Sequence, residues 1–118
     1  MKDFRELKVW QKAHQLVVEL YRHSAHLPAE ERFGLTAPLR KTAVPIPSNS
    51  AEGCGREGDR ELTRCLNIAS GSAAELDDPL LLARDLAYLP ADVHRELDPR
   101  VSEVKRRLYR FIQSLADA

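Results

Sequence analysis

Three sets of residues in this chain have types and spacings that could carry chemistry. Glu52 and Arg56 stand four apart and could act as an acid–base or ligand-holding pair, with Asn49 as a contact to the same ligand. At i, i+4 near a helix end, the two charges can equally pair with each other or with a neighbouring chain, and that structural reading is preferred. Glu19, His23 and His26 have metal-ligand types at i, i+4 and i+7. Di-metal helical bundles instead use Glu-x-x-His on two helices, and that pattern is absent from the 118 residues. The face carrying Glu19, His23 and His26 is expected to be solvated, and no metal is expected there. The third set is the basic run Arg100, Lys105, Arg106, Arg107 and Arg110, which could face RNA or DNA or could simply be a solvated helix face. His14 is expected beside Trp10, partly buried, and His94 has no evident partner. No glycine-rich phosphate loop, nucleophile elbow or cysteine pair in metal register accompanies these residues. Catalytic and cofactor sets are therefore expected to be empty.

Composition narrows the partners. The chain carries 18 basic and 18 acidic residues, so it lacks the strong net positive charge of a nucleic-acid coat. The balance is nonetheless uneven: residues 59–89 carry a net −3, and residues 100–110 a net +4. Apolar residues make up 43% and charged residues 31%, a globular composition in which only three Phe, three Tyr and one Trp contribute aromatic volume. Cys54 and Cys65 are too few for a disulfide framework, and Cys65 is expected as a reduced core thiol. No apolar run approaches the ~20 residues of a membrane span, and the charged start Met1-Lys2-Asp3 does not read as a secretory leader. The expectation is a cytoplasmic protein with no membrane partner.

The elements that must position these residues are all helical. Apolar residues recur at three and four in four segments, and no segment alternates with period two. In the first, from about Leu7 to Ala25, the inward stripe is read as Trp10, Ala13, Val17, Leu20, Tyr21 and Ser24. Val9, Leu16, Leu20 and Leu27 widen that face beyond what one bundle seam needs and are assigned to contacts between chains. The second starts near Thr36, read as its N-cap, and places Leu35, Leu39, Ala43, Ile46, Asn49, Ser50 and Gly53 inward. Pro45 and Pro47 predict a kink or break, with Thr42, Ser48, Asn49 and Ser50 near enough to satisfy the carbonyls they free. The third, capped by Asp59, runs to about Leu86 and bends at Pro79. The fourth follows Pro90 with Val93, Leu97, Val101, Val104, Leu108, Phe111 and Leu115 as its seam, and Pro99 is a point where it could divide. Short turns between such segments predict an all-α fold, an antiparallel up-down-up-down four-helix bundle spanning residues 1–118 as one domain.

The stretch Ile46-Pro47-Ser48-Asn49-Ser50-Ala51-Glu52-Gly53-Cys54-Gly55-Arg56 resembles a known signature. It is similar to that of the small proteins named after intervening sequences in bacterial 23S ribosomal RNA genes. Leu7-Lys8-Val9-Trp10, Phe33-Gly34-Leu35-Thr36 and Ala73-Ala74-Glu75-Leu76 extend the resemblance over nearly the whole chain. Pro45 stands where the family usually has Ser and Ser50 where it usually has Ile, while Pro79 and Pro99 are additional. The resemblance implies homopentamers of four-helix bundles without an established enzymatic activity. In that light Pro47, Asn49, Glu52, Gly53 and Arg56 are expected to be structural. A relative associated with diversity-generating retroelements binds nucleic acid and a reverse transcriptase, but is more basic than this chain.

These readings combine into one expectation: a non-enzymatic, self-associating scaffold, with RNA or DNA as leading partner through residues 100–110 and a protein as the next. The alternative is a small-ligand binder or enzyme using Asn49, Glu52 and Arg56.

Overall fold

The computed structural model describes residues 3–117. Its elements follow the apolar periodicity closely, and no strand occurs among the described residues. Asp3 accepts a hydrogen bond from the Arg5 backbone N–H at 3.0 Å and so starts a short turn over Phe4–Glu6. Helix α1 then spans Lys8–Ser24. A turn region through Pro28 leads into α2, Ala37–Ala43, and α3, Pro45–Gly55. Helix α4 covers Asp59–Asp85 and α5 covers Ala91–Ala116. Taking α2 and α3 as one rod, the helices pack in a ring: α1 on α2–α3, α2–α3 on α4, α4 on α5, and α5 back on α1. The body measures 45 × 22 × 20 Å, one long-helix length by two helix diameters. That arrangement is consistent with an up-down-up-down bundle.

The inward stripe of α1 differs from the sequence reading. Val9, Ala13, Leu16 and Leu20 are buried, with Ser24 and Leu27 continuing the line, whereas Trp10 and Val17 are half-buried and Tyr21 is exposed. Val9, Leu16, Leu20 and Leu27 are thus core residues of the single chain rather than contacts between chains. At about 100° per residue, the two stripes lie roughly a quarter-turn apart and share Ala13, Leu20 and Ser24. The bulk of Trp10 and Tyr21 drew the reading to the wrong side. Both are large amphipathic rings that tolerate partial exposure better than a fully apolar Leu or Val.

Proline interrupts one helical rod and is accommodated inside two others. Val44 separates α2 from α3, yet its own N–H reaches the Arg40 carbonyl at 3.1 Å and its carbonyl accepts from Ser48 at 3.3 Å. The rod is interrupted only where Pro45 and Pro47 lack donors. Asn49 and Ser50 do not reach the carbonyls those prolines free; they donate to Pro45 and Ile46, each at 2.9 Å. Pro79 and Pro99 both lie inside continuous helices, so Pro99 does not divide α5. Pro99 and Arg95 are exposed, which puts the unpartnered Arg95 carbonyl on the solvent side, where water can satisfy it.

Helix ends also depart from the expected caps. Thr36 has helical dihedrals and makes no side-chain cap, because a wider helical turn over Arg32–Thr36 already runs into α2. Asp59 is the first residue of α4 rather than its cap. Gly58 precedes it at φ 85°, a left-handed conformation that suits glycine. At the far end, Tyr88 and Leu89 donate to the Ala83 carbonyl at 3.0 and 3.1 Å, with Ala87 at φ 63°. That is a left-handed helix stop built on alanine instead of glycine.

Arg40 ties the first two rods together. Its guanidinium donates to Ser24 Oγ at 2.9 Å and to the Tyr21 carbonyl at 3.3 Å, and lies 4.4 Å from the Tyr21 ring centroid. A cation thereby satisfies the C-terminal end of α1, where the helix dipole favours positive charge.

Candidate functional site

Two surfaces hold the signature residues and the basic run singled out by sequence. The first is the end of α3. Pro47 and Gly53 are buried and Asn49 is half-buried, while Glu52 and Arg56 are exposed. The Asn49 amide is committed to the Pro45 carbonyl. Glu52 Oε1 accepts a hydrogen bond from Arg56 at 2.7 Å, and that bond holds its carboxyl below the ordinary value of 4.5. A carboxylate held ionised in this way is a weak proton acceptor at neutral pH. The three side chains therefore serve the helix and each other rather than converging on a shared ligand position.

Gly53 explains the small residue at this point of the signature. A Cβ built there would stand 2.9 Å from Leu62 Cδ1, 3.0 Å from Cys65 Cβ and 3.4 Å from the Leu62 carbonyl oxygen. The missing side chain lets α3 and α4 approach, and Cys65 is the fully buried thiol on the α4 side of that contact.

The candidate metal set does not assemble. Glu19 pairs with Arg22 at 2.9 Å and lies 3.7 Å from His23 Nε2, while His26 is exposed. Among the described residues no group of three or more His, Cys, Asp or Glu is placed to hold a metal ion. His14 is exposed rather than partly buried, and stacks on Trp10 with centroids 4.7 Å apart and planes 16° from parallel. Phe4 meets the same indole edge-on at 5.1 Å. His94 is buried in the opening turns of α5.

The second surface is α5. Its seam of Leu97, Val101, Val104 and Leu108 is buried, which divides the polar residues between the flanks and the outer face. On the flank toward α1, Glu103 accepts from Arg107 at 3.0 Å and lies 3.7 Å from Lys12. The Arg107 hydrogen bond, helped by Lys12, holds the Glu103 carboxyl below its ordinary 4.5. On the flank toward α4, Lys105 pairs with Asp77. Arg100 pairs with Glu96 at 3.3 Å. Three of the five expected cations are thus held by carboxylates, and the acidic 59–89 segment adjoins the basic one through Asp77.

Arg106 and Arg110 differ. Neither forms an ion pair among the described residues. With Ser102, Lys105 and Tyr109 they line an open hollow of about 450 Å³ on the outer side of α5. Tyr109 is 64% exposed and escaped the sequence reading. Its position three after Arg106 and four after Lys105, off the Val104–Leu108 seam, was the available signal.

Apolar side chains are exposed elsewhere as well. Phe33, in the turn before α2, is 85% exposed, and Leu81 and Leu82 in the last turn of α4 and Leu86 just after it are also exposed. No described helix is long and apolar enough to cross a membrane.

Comparisons with known proteins follow the same geometry. A crystal structure of a protein of unknown function from the S23 ribosomal protein family of Bacteroides thetaiotaomicron VPI-5482 superposes with a TM-score of 0.82. The match covers 89% of this chain and 95% of that one at 20% identity, a likeness of fold. No curated protein sequence matches the chain. The family model for 23S rRNA-intervening sequence proteins matches residues 5–110, from the turn before α1 through most of α5. This chain belongs to the 23S rRNA-intervening sequence protein family.

Proposed function

We propose that this protein is a non-catalytic, self-associating scaffold that holds a polyanion, RNA or DNA, against the outer face of α5 in the cytoplasm. The observation that carries the reading is the pair Arg106 and Arg110. Among the described residues neither guanidinium group has a carboxylate partner, whereas Arg100, Lys105 and Arg107 are each paired with one. The enzymatic alternative is weaker, because Asn49, Glu52 and Arg56 are each committed to an intramolecular hydrogen bond.

Two or three cations per chain bind nucleic acid weakly at physiological salt, so the reading needs repetition. Closed symmetry places every copy of a patch on one ring, and five chains would multiply it fivefold without changing the zero formal charge. With Val9, Leu16, Leu20 and Leu27 inside the chain, Phe33 and the exposed Leu82 and Leu86 become the surface offered for self-association.

The test has two arms. Light scattering should give about five times the 13.3 kDa chain mass, and Phe33→Asp should lower it. The Arg106→Glu/Arg110→Glu variant should keep the wild-type mass and lose retention of RNA at about 50 mM salt. A monomeric wild type would sink the self-association reading. Absence of wild-type RNA retention at low salt would transfer the partner role to a protein.

A further inference from the structure

The hollow on α5 joins an aromatic ring to cations on one helical face. Ser102, Lys105, Arg106, Tyr109 and Arg110 fall at intervals of three, one, three and one, the spacing of a single face. Tyr109 is among the lining residues, with 64% of its surface exposed. Among the described residues no ring packs on Tyr109 and no cation lies over it; the three cations placed over rings belong to Phe4, Phe33 and Tyr21. With most of its surface exposed, the ring can offer a face to an incoming planar group. Among the described residues the neighbouring Arg106 and Arg110 have no carboxylate partner, and Lys105 pairs with Asp77.

Charge complementarity names a polyanion, and the ring narrows its class. A base can stack on an exposed aromatic face while its flanking phosphates meet cations a few ångströms away, which is how sequence-tolerant single-strand binders work. In a duplex the base faces are stacked on one another and inaccessible, so only the phosphates of a duplex could use this surface. Sulfated or phosphorylated polyanions without bases would also ignore the ring. We infer that Tyr109 is a base-stacking platform and that the occupant of this hollow is single-stranded nucleic acid. The inference rests on the polyanion reading of α5 and adds the class of ligand to it.

The experiment separates the two. Fluorescence anisotropy of the intact protein is measured with a labelled oligothymidine strand of about twelve nucleotides and with an abasic strand of equal length, at about 50 mM salt. The abasic strand keeps the charge and lacks the bases. Wild type should bind the base-bearing strand roughly tenfold more tightly, the scale of one base stacked on one aromatic ring. Tyr109→Ala should erase that preference and leave abasic binding unchanged, while Tyr109→Phe should retain it. Arg106→Glu/Arg110→Glu should lose both strands. An exposed side chain on a long helix can be truncated without unfolding the chain, and circular dichroism checks that the fold is kept. Equal wild-type binding to both strands, or an undiminished preference in Tyr109→Ala, overturns the stacking platform and leaves the polyanion reading standing. Failure of wild type to bind either strand overturns both.

Discussion

Replacing Gly53 by alanine tests whether the signature glycine exists for packing or for a partner. Its added Cβ would come within 2.9 Å of Leu62 Cδ1 and 3.0 Å of Cys65 Cβ. The Leu62 methyl can swing away, but Cys65 Cβ is joined directly to the α4 backbone, so α3 and α4 must separate by some tenths of an ångström. Overpacking of this kind costs about 1–3 kcal/mol, offset by the ~1 kcal/mol that alanine gains over glycine in a helix. Gly71 supplies the control: it lies exposed in α4, and a Cβ added there would meet no atom within 4 Å. There the helical gain of ~1 kcal/mol is unopposed. The two variants should therefore differ by about 1–3 kcal/mol, with Gly71→Ala above wild type. For a chain of this size roughly 4 °C of Tm corresponds to each kcal/mol, so the melting points should separate by about 4–12 °C. Thermal unfolding followed by circular dichroism at one fixed protein concentration measures this directly. If both substitutions raise Tm equally, α3 and α4 do not make the close contact, and the packing account of Gly53 is wrong.

Other outcomes follow from particular side chains. Leu16→Ala, at a fully buried position, should cost about 2–5 kcal/mol in chemical unfolding, whereas loss of oligomer mass at unchanged stability would return Leu16 to the surface. Ala87→Gly should raise stability by about 1 kcal/mol by relieving the left-handed strain at φ 63°, and a fall in Tm would refute that role. The Glu103 carboxyl is held below its ordinary 4.5 by Arg107, so its contribution is present above that pH and lost as pH falls through the depressed value. Glu103→Gln should accordingly make the stability curve shallower below about pH 4.5, and an unchanged acid limb would count against the Lys12–Glu103–Arg107 cluster.

Much of the fold was legible in the chain. The seams of α4 and α5 were readable because each has a single apolar stripe: Cys65, Leu66, Ala69, Ala73 and Leu76 in one, Leu97, Val101, Val104 and Leu108 in the other. The break at Val44–Pro45 followed from a missing backbone donor, a local property that no packing can restore. Family membership was carried by the order of residues from Ile46 to Arg56 and is confirmed over residues 5–110. The pairing of Glu52 with Arg56 is likewise local, one helical turn apart.

Tertiary structure decided the rest. Helix α1 carries two overlapping apolar stripes, and periodicity alone cannot choose between them; the packing of α2, α3 and α5 on α1 does, burying Val9, Leu16 and Leu20 and leaving Tyr21 to Arg40. Around the run at residues 100–110, Arg100–Glu96 and Arg107–Glu103 are local i, i+4 pairs, whereas Lys105 is neutralised by Asp77, 28 residues earlier in the chain. Charge neutralisation between elements depends on which helices become neighbours, a non-local fact. The same dependence isolates Arg106, Tyr109 and Arg110 on the one face of α5 that no other helix covers.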